Sequence, residues 1–163
     1  LLAACSTESH QPTPEETTLT SLGQPAPTFA VTTLAGDTFD LEEAAGNVVL
    51  LNFFATWCPP CREEMPHLES EVWSRFKGDD FLMLSLGREH TDADLPPFVE
   101  EMGISFPVAA DPERGVYGQY AQQYIPRNVL IDRRGVIAFQ SSGFERPDFE
   151  RMIEVIEELL TTA

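Results

Sequence analysis

Apolar residues recur along this chain with two different periods, and the switches between them outline an α/β domain. Val48 to Ala55 is almost unbroken in apolar character, with Asn52 the exception. Such continuity marks a central strand covered on both faces, since a half-exposed strand would alternate. From about Pro59 to Phe76 the period lengthens. Met65, Leu68, Val72, Trp73 and Phe76 fall at three- and four-residue spacing, which predicts an amphipathic helix ended by Gly78. Phe81 to Leu86 reads as the next core strand. Leu95 to Met102 reads as a helix, with Asp92 or Asp94 to cap it and Pro96 tolerated in its first turn.

Upstream, Thr28 to Val31 and Thr38 to Leu41 are short strand candidates around a Gly36-Asp37 turn. Downstream, Phe106 to Ala109 predicts a short strand and Val116 to Gln123 a helix. Val129 to Asp132 and Val136 to Gln140 flank Arg133-Arg134-Gly135, a hairpin signal. Phe149, Met152, Ile153, Ile156 and Leu160 form the buried stripe of a final helix starting near Pro147. The expected fold is α/β, a mixed sheet with helices on both faces and an N-terminal strand extension.

Composition narrows the function. The 163 residues, 42% of them hydrophobic, suit one ordinary domain. With 27 acidic and 10 basic side chains the formal net charge is -17, which would repel nucleic-acid phosphates; no nucleic-acid partner is expected. No apolar run approaches the ~20 residues that span a bilayer.

The first residues read differently from the rest. Leu1-Leu2-Ala3-Ala4-Cys5 looks like the end of a bacterial lipoprotein signal peptide, which would make residues 1–5 its remnant and Cys5 the lipidated residue. Residues 6–21 are rich in Thr, Ser, Glu and Pro, with Leu19 the one large apolar residue, and are expected to be a disordered tether. The domain is then expected over 22–163.

The remaining cysteines stand together in Trp57-Cys58-Pro59-Pro60-Cys61, where the central strand gives way to the helix. Two intervening residues let the sulfurs meet around the first helical turn. There, unpaired backbone N–H groups stabilise a thiolate on the first sulfur. The prolines occupy positions whose N–H groups would lack an intrahelical partner, so they cost little and stiffen the loop. Cys58 is expected to attack, beside an exposed Trp57 against which a partner can pack. Cys61, one turn in, is expected to resolve the mixed disulfide. The competing readings are two inert buried cysteines, or a zinc site with His67, for which no second cysteine pair exists.

The segment from Asn52 to Pro66, with Ile104-Ser105-Phe106-Pro107-Val108, Ile125-Pro126 and Leu130-Ile131-Asp132-Arg133-Arg134-Gly135, resembles the TlpA/ResA-like branch of the thioredoxin superfamily over essentially Leu22 to Leu160. The resemblance implies a thioredoxin-like fold with an insertion, here roughly Arg88 to Ala110. It also implies disulfide reduction on exported or membrane-attached proteins, an extracytoplasmic, often membrane-tethered location, and a membrane thiol-transfer electron donor. Neither cofactor nor metal is implied. It further makes Ile125-Pro126 a cis bond packed against the cysteines, leaving the Ile125 backbone free to pair with an extended substrate. Arg127 departs from the small hydroxyl residue expected next. Glu64, three residues after Cys61, matches the proton-handling Glu of ResA-like proteins. Many relatives elsewhere in the superfamily carry a buried Asp where this chain has Asn52, so Glu64 is the candidate base for Cys61; the alternative is a helix-start charge. Pro66 is expected to kink the helix. Two rivals remain for function. A peroxiredoxin-like peroxidase would place Thr three residues before the attacking cysteine, where Ala55 stands. The other is a redox-silent binding module.

Overall fold

A computed structural model describes residues 10–162. Its centre is a five-stranded sheet in the order β5-β4-β3-β6-β7. The strands are β3 (Val48–Phe54), β4 (Phe81–Arg88), β5 (Val108–Asp111), β6 (Arg127–Ile131) and β7 (Ile137–Ser142). A separate antiparallel hairpin pairs β1 (Ala30–Thr32) with β2 (Thr38–Asp40). Strands β4 and β5 run parallel to β3, while β6 and β7 form the antiparallel hairpin foreseen around Gly135. Asp132 accepts from the Arg134 and Val136 N–H groups and fixes that turn.

All seven residues of β3 are buried, and their alternation builds two cores. Val48, Leu50 and Phe54 pack with Met65, Leu68, Phe149, Met152 and Ile156. Val49, Leu51 and Phe53 pack on the opposite face with Leu41, Tyr117 and Tyr120. Each large apolar side chain so enclosed contributes about 1.5–3 kcal/mol. The first core holds helix α1 (Pro59–His67) and the last helix, α5 (Arg146–Thr161), against the sheet.

The helix expected over Pro59 to Phe76 is interrupted. After α1 the chain takes a π-helical turn over Leu68–Trp73 before one α turn, α2 (Ser74–Phe76). Pro66, which cannot donate within α1, stands two residues before this turn. Helix α3 (Pro96–Met102) has Leu95 at its N-cap without a side-chain cap. Asp94 instead accepts from the Thr91 N–H and hydroxyl; with prolines at the first helical positions there are fewer orphan donors to cap.

The larger departure concerns the N-terminal segment. Residues 12–24 pack along the domain as a strap, so the folded part begins well before Leu22. Thr17 and Thr20 are buried. The Leu19 N–H donates to the Tyr120 carbonyl (2.9 Å) and the Gln122 N–H to the Thr17 carbonyl (2.8 Å). Composition missed this because the strap is held by backbone and hydroxyl groups, not by large apolar side chains. The same contacts shorten the helix expected over Val116 to Gln123 to α4 (Tyr117–Tyr120), since the strap takes the Tyr120 carbonyl and Ala121 is extended against Thr18. Cys5 and residues 6–9 of the expected tether lie outside the described residues.

Candidate active site

The end of β3 delivers the chain directly to α1, and Cys58 is the N-cap of that helix, with extended backbone. Its Sγ accepts from the Cys61 N–H at 3.3 Å, and Pro59 and Pro60 occupy the first helical positions. Cys58 and Cys61 form a disulfide, with Cα atoms 5.3 Å apart. Cys61 is fully enclosed and Cys58 4% exposed, while Trp57 beside them is 64% exposed. The Ile125–Pro126 bond is cis, and the Ile125 carbonyl oxygen lies 3.8 Å from Cys58 Sγ. The fold therefore brings Trp57, Cys58, Cys61, Ile125 and Pro126 together at the end of the sheet where β3 finishes and β6 begins. A helix start beside Cys58 favours negative charge there once the disulfide is reduced.

The loop entering α1 is clamped by the insertion. His90 Nε2 accepts from the Thr56 N–H at 2.9 Å, and Arg62 donates to the Thr56 carbonyl at 3.0 Å while pairing with Glu101 of α3. Gly87 permits this closure: Leu95 packs over its Cα, where a Cβ would come within 2.7 Å of the Leu95 side chain. His67, the zinc-ligand candidate, instead stacks on Phe144 and meets Glu71 at 2.8 Å.

Glu64, three residues after Cys61 on α1, is buried and lies over a polar row in the sheet. Register aligns Asn52 of β3 with Ser85 of β4 on one side and Asn128 of β6 on the other. The Ser85 hydroxyl donates to Asn52 Oδ1 (2.5 Å). Asn52 Nδ2 donates to Asn128 Oδ1 (2.9 Å) and to Glu64 Oε2 (3.3 Å), and Asn128 Nδ2 donates to Glu64 Oε1. Burial pushes the Glu64 carboxyl up to about 8, outweighing the Asn128 and Asn52 amides, which favour the charged form. A carboxyl poised there can give and take a proton near neutral pH. Asn128, Ser85 and His90 were not singled out as site residues from sequence. A signal existed for two of them: Ser85 interrupts an apolar strand just as Asn52 does, and Asn128 precedes the apolar run of β6.

Comparison with known proteins agrees with this geometry. The AhpC/TSA family model matches residues 22–140. The chain is 36% identical to the thiol-disulfide oxidoreductase ResA of Bacillus thuringiensis, over 75% of this chain and 70% of that protein. Among solved structures, it is similar to a candidate protein disulfide isomerase from Bacteroides thetaiotaomicron, with a TM-score of 0.86, 32% identity and coverage of 90% and 94% of the two chains. A candidate thiol:disulfide interchange protein DsbE from Chlorobium tepidum follows, with a TM-score of 0.74, 30% identity and coverage of 86% and 98%.

Proposed function

The chain belongs to the ResA-like thiol–disulfide oxidoreductases of the thioredoxin superfamily, within the AhpC/TSA family, and on that premise we propose that it reduces disulfides of exported proteins through Cys58 and Cys61, outside the cytoplasm and anchored to a membrane by lipid on Cys5. The observation that carries the exchange chemistry is the Cys58–Cys61 disulfide at a helix N-terminus, facing the Ile125 carbonyl.

In the reduced protein, the Cys58 thiolate attacks one sulfur of a substrate disulfide. A Cys58–substrate bond forms, the substrate S–S bond breaks, and the departing thiolate takes up a proton. In molecules whose Glu64 carboxyl is ionised, a fraction that grows as pH rises toward 8, Cys61 then gives its proton to Glu64, directly or through water, and its thiolate attacks Cys58 Sγ. The second substrate thiolate leaves and is protonated. Two electrons and two protons have passed to the substrate and the Cys58–Cys61 disulfide has formed. An external dithiol, supplied by a membrane thiol-transfer protein, must reduce it again. The exposed Trp57 offers apolar surface to the substrate, and the Ile125 backbone offers an edge for an extended segment.

The test is trapping in cells. Cys61→Ala should accumulate mixed disulfides between Cys58 and exported proteins, resolved by added dithiothreitol and absent from the Cys58→Ala, Cys61→Ala double variant. Peroxide consumption by the purified protein with no such adducts would instead support the peroxidase reading.

A further inference from the structure

Arg127, the residue after Pro126, has only 5% of its surface exposed, and among the described residues it pairs with no carboxylate. Its guanidinium bonds neutral oxygens from two separate pieces of chain. Nε donates to the carbonyls of Gln123 (3.0 Å) and Tyr124 (3.1 Å). Nη2 donates to the Gln123 carbonyl (2.7 Å), the Pro14 carbonyl (3.1 Å) and the Thr17 hydroxyl (3.1 Å), and Nη1 to the Thr18 hydroxyl (2.8 Å). Burying a cation without a counter-charge is a poor way to gain stability, so its effect is sought in geometry.

The geometry concerns Tyr124. Its φ is 73°, a left-handed conformation that L side chains rarely adopt and that surrounding contacts must hold. Its carbonyl is gripped from two sides, by Arg127 Nε and by the Tyr117 hydroxyl (2.7 Å), and its own hydroxyl donates to the strap at the Pro12 carbonyl (2.6 Å). Ile125 comes next, with its carbonyl facing Cys58. Any relaxation of Tyr124 would turn the very backbone edge offered to a substrate.

We propose that Arg127, together with the strap at residues 12–18, is a positioning device for substrate recognition, holding the Ile125 edge so that it pairs with extended polypeptide flanking a disulfide. The device rests on the exchange reading given above. It acts on protein substrates and not on compact disulfides, which need no backbone edge and meet Cys58 alone.

The experiment compares insulin with 5,5′-dithiobis(2-nitrobenzoate) as substrates, at a temperature where every variant is folded. The Thr17→Val, Thr18→Val double variant removes the two hydroxyl acceptors at nearly constant volume, and Tyr124→Phe removes the Pro12 contact. For insulin, KM should rise about tenfold in the double variant with kcat little changed, as loosened positioning predicts. The rate with the small disulfide and the pH profile of Cys58 alkylation should stay at wild-type values. Thr17→Ser, Thr18→Ser, which keeps both hydroxyls, should restore the insulin KM. Arg127→Lys should not, because one ammonium cannot serve oxygens spread over two chain segments. Equal slowing of both substrates, or an unchanged insulin KM in every variant, would overturn the proposal. A wild-type protein that reduces neither substrate overturns the exchange reading itself, and this inference with it.

Discussion

Holding a carboxyl near 8 has a thermodynamic consequence for Glu64 that can be measured apart from catalysis. In the unfolded chain the group titrates near 4.5, so between that pH and about 8 the folded protein keeps a proton that the unfolded chain has lost. Stability must therefore fall as pH rises through this window and level off above it. Glu64→Gln removes the titration. Urea unfolding of the oxidised protein should give a flat profile at this site for the variant, and a variant more stable than wild type at pH 8 by a few kcal/mol. The same substitution should slow resolution of a preformed Cys58 mixed disulfide. Parallel stability profiles and equal resolution rates would reduce Glu64 to a charge near a helix start. The family resemblance, with Asn52 standing where many relatives carry an Asp, brought Glu64 forward as a candidate; its depth could not be read from sequence, because burial depends on how α1 lies on the sheet.

The polar row of Ser85, Asn52 and Asn128 belongs to three strands at once. Positions 52, 85 and 128 share no spacing along the chain; only strand register lines them up. Asn52 stood out as the polar break in an apolar run; Ser85 makes the same kind of break, but nothing along the chain ties it or Asn128 to Asn52. Since the amides favour the charged carboxylate, Asn128→Leu should raise the Glu64 pKa further, extending the falling part of the stability profile above pH 8. The carboxyl C=O stretch followed by infrared titration reports this directly, and an unshifted midpoint would show that Asn128 has no hold on the group. The strap is the complementary case. Strands and helices with apolar periodicity were legible within a few residues, but a segment fastened by Thr hydroxyls and backbone groups has the composition of a linker. The shortening of α4 at Tyr120 is a second trace of the same omission.

For the molecule as a whole, the architecture was legible because β3 is apolar on both faces and its neighbours carry distinct periods. No helix among the described residues is long and apolar enough to cross a membrane, and the attachment proposed above is through lipid on Cys5. In cells the wild-type protein should fractionate with membranes and carry lipid at Cys5, and Cys5→Ala should be released or poorly processed. An unmodified Cys5 with no membrane association would remove the anchor and leave the exchange chemistry untouched.

The strap also determines how far an anchored enzyme could roam. Tyr124 grips the chain at Pro12, seven residue steps from Cys5, whereas Leu22 is seventeen steps from it. At no more than ~3.5 Å per residue, whatever their conformation, seven steps reach at most about 25 Å and seventeen at most about 60 Å. A lipid at Cys5 would thus hold the catalytic edge close to the bilayer surface and confine its search to disulfides presented at that height. The grip that orients the Ile125 edge would also set the enzyme's working radius.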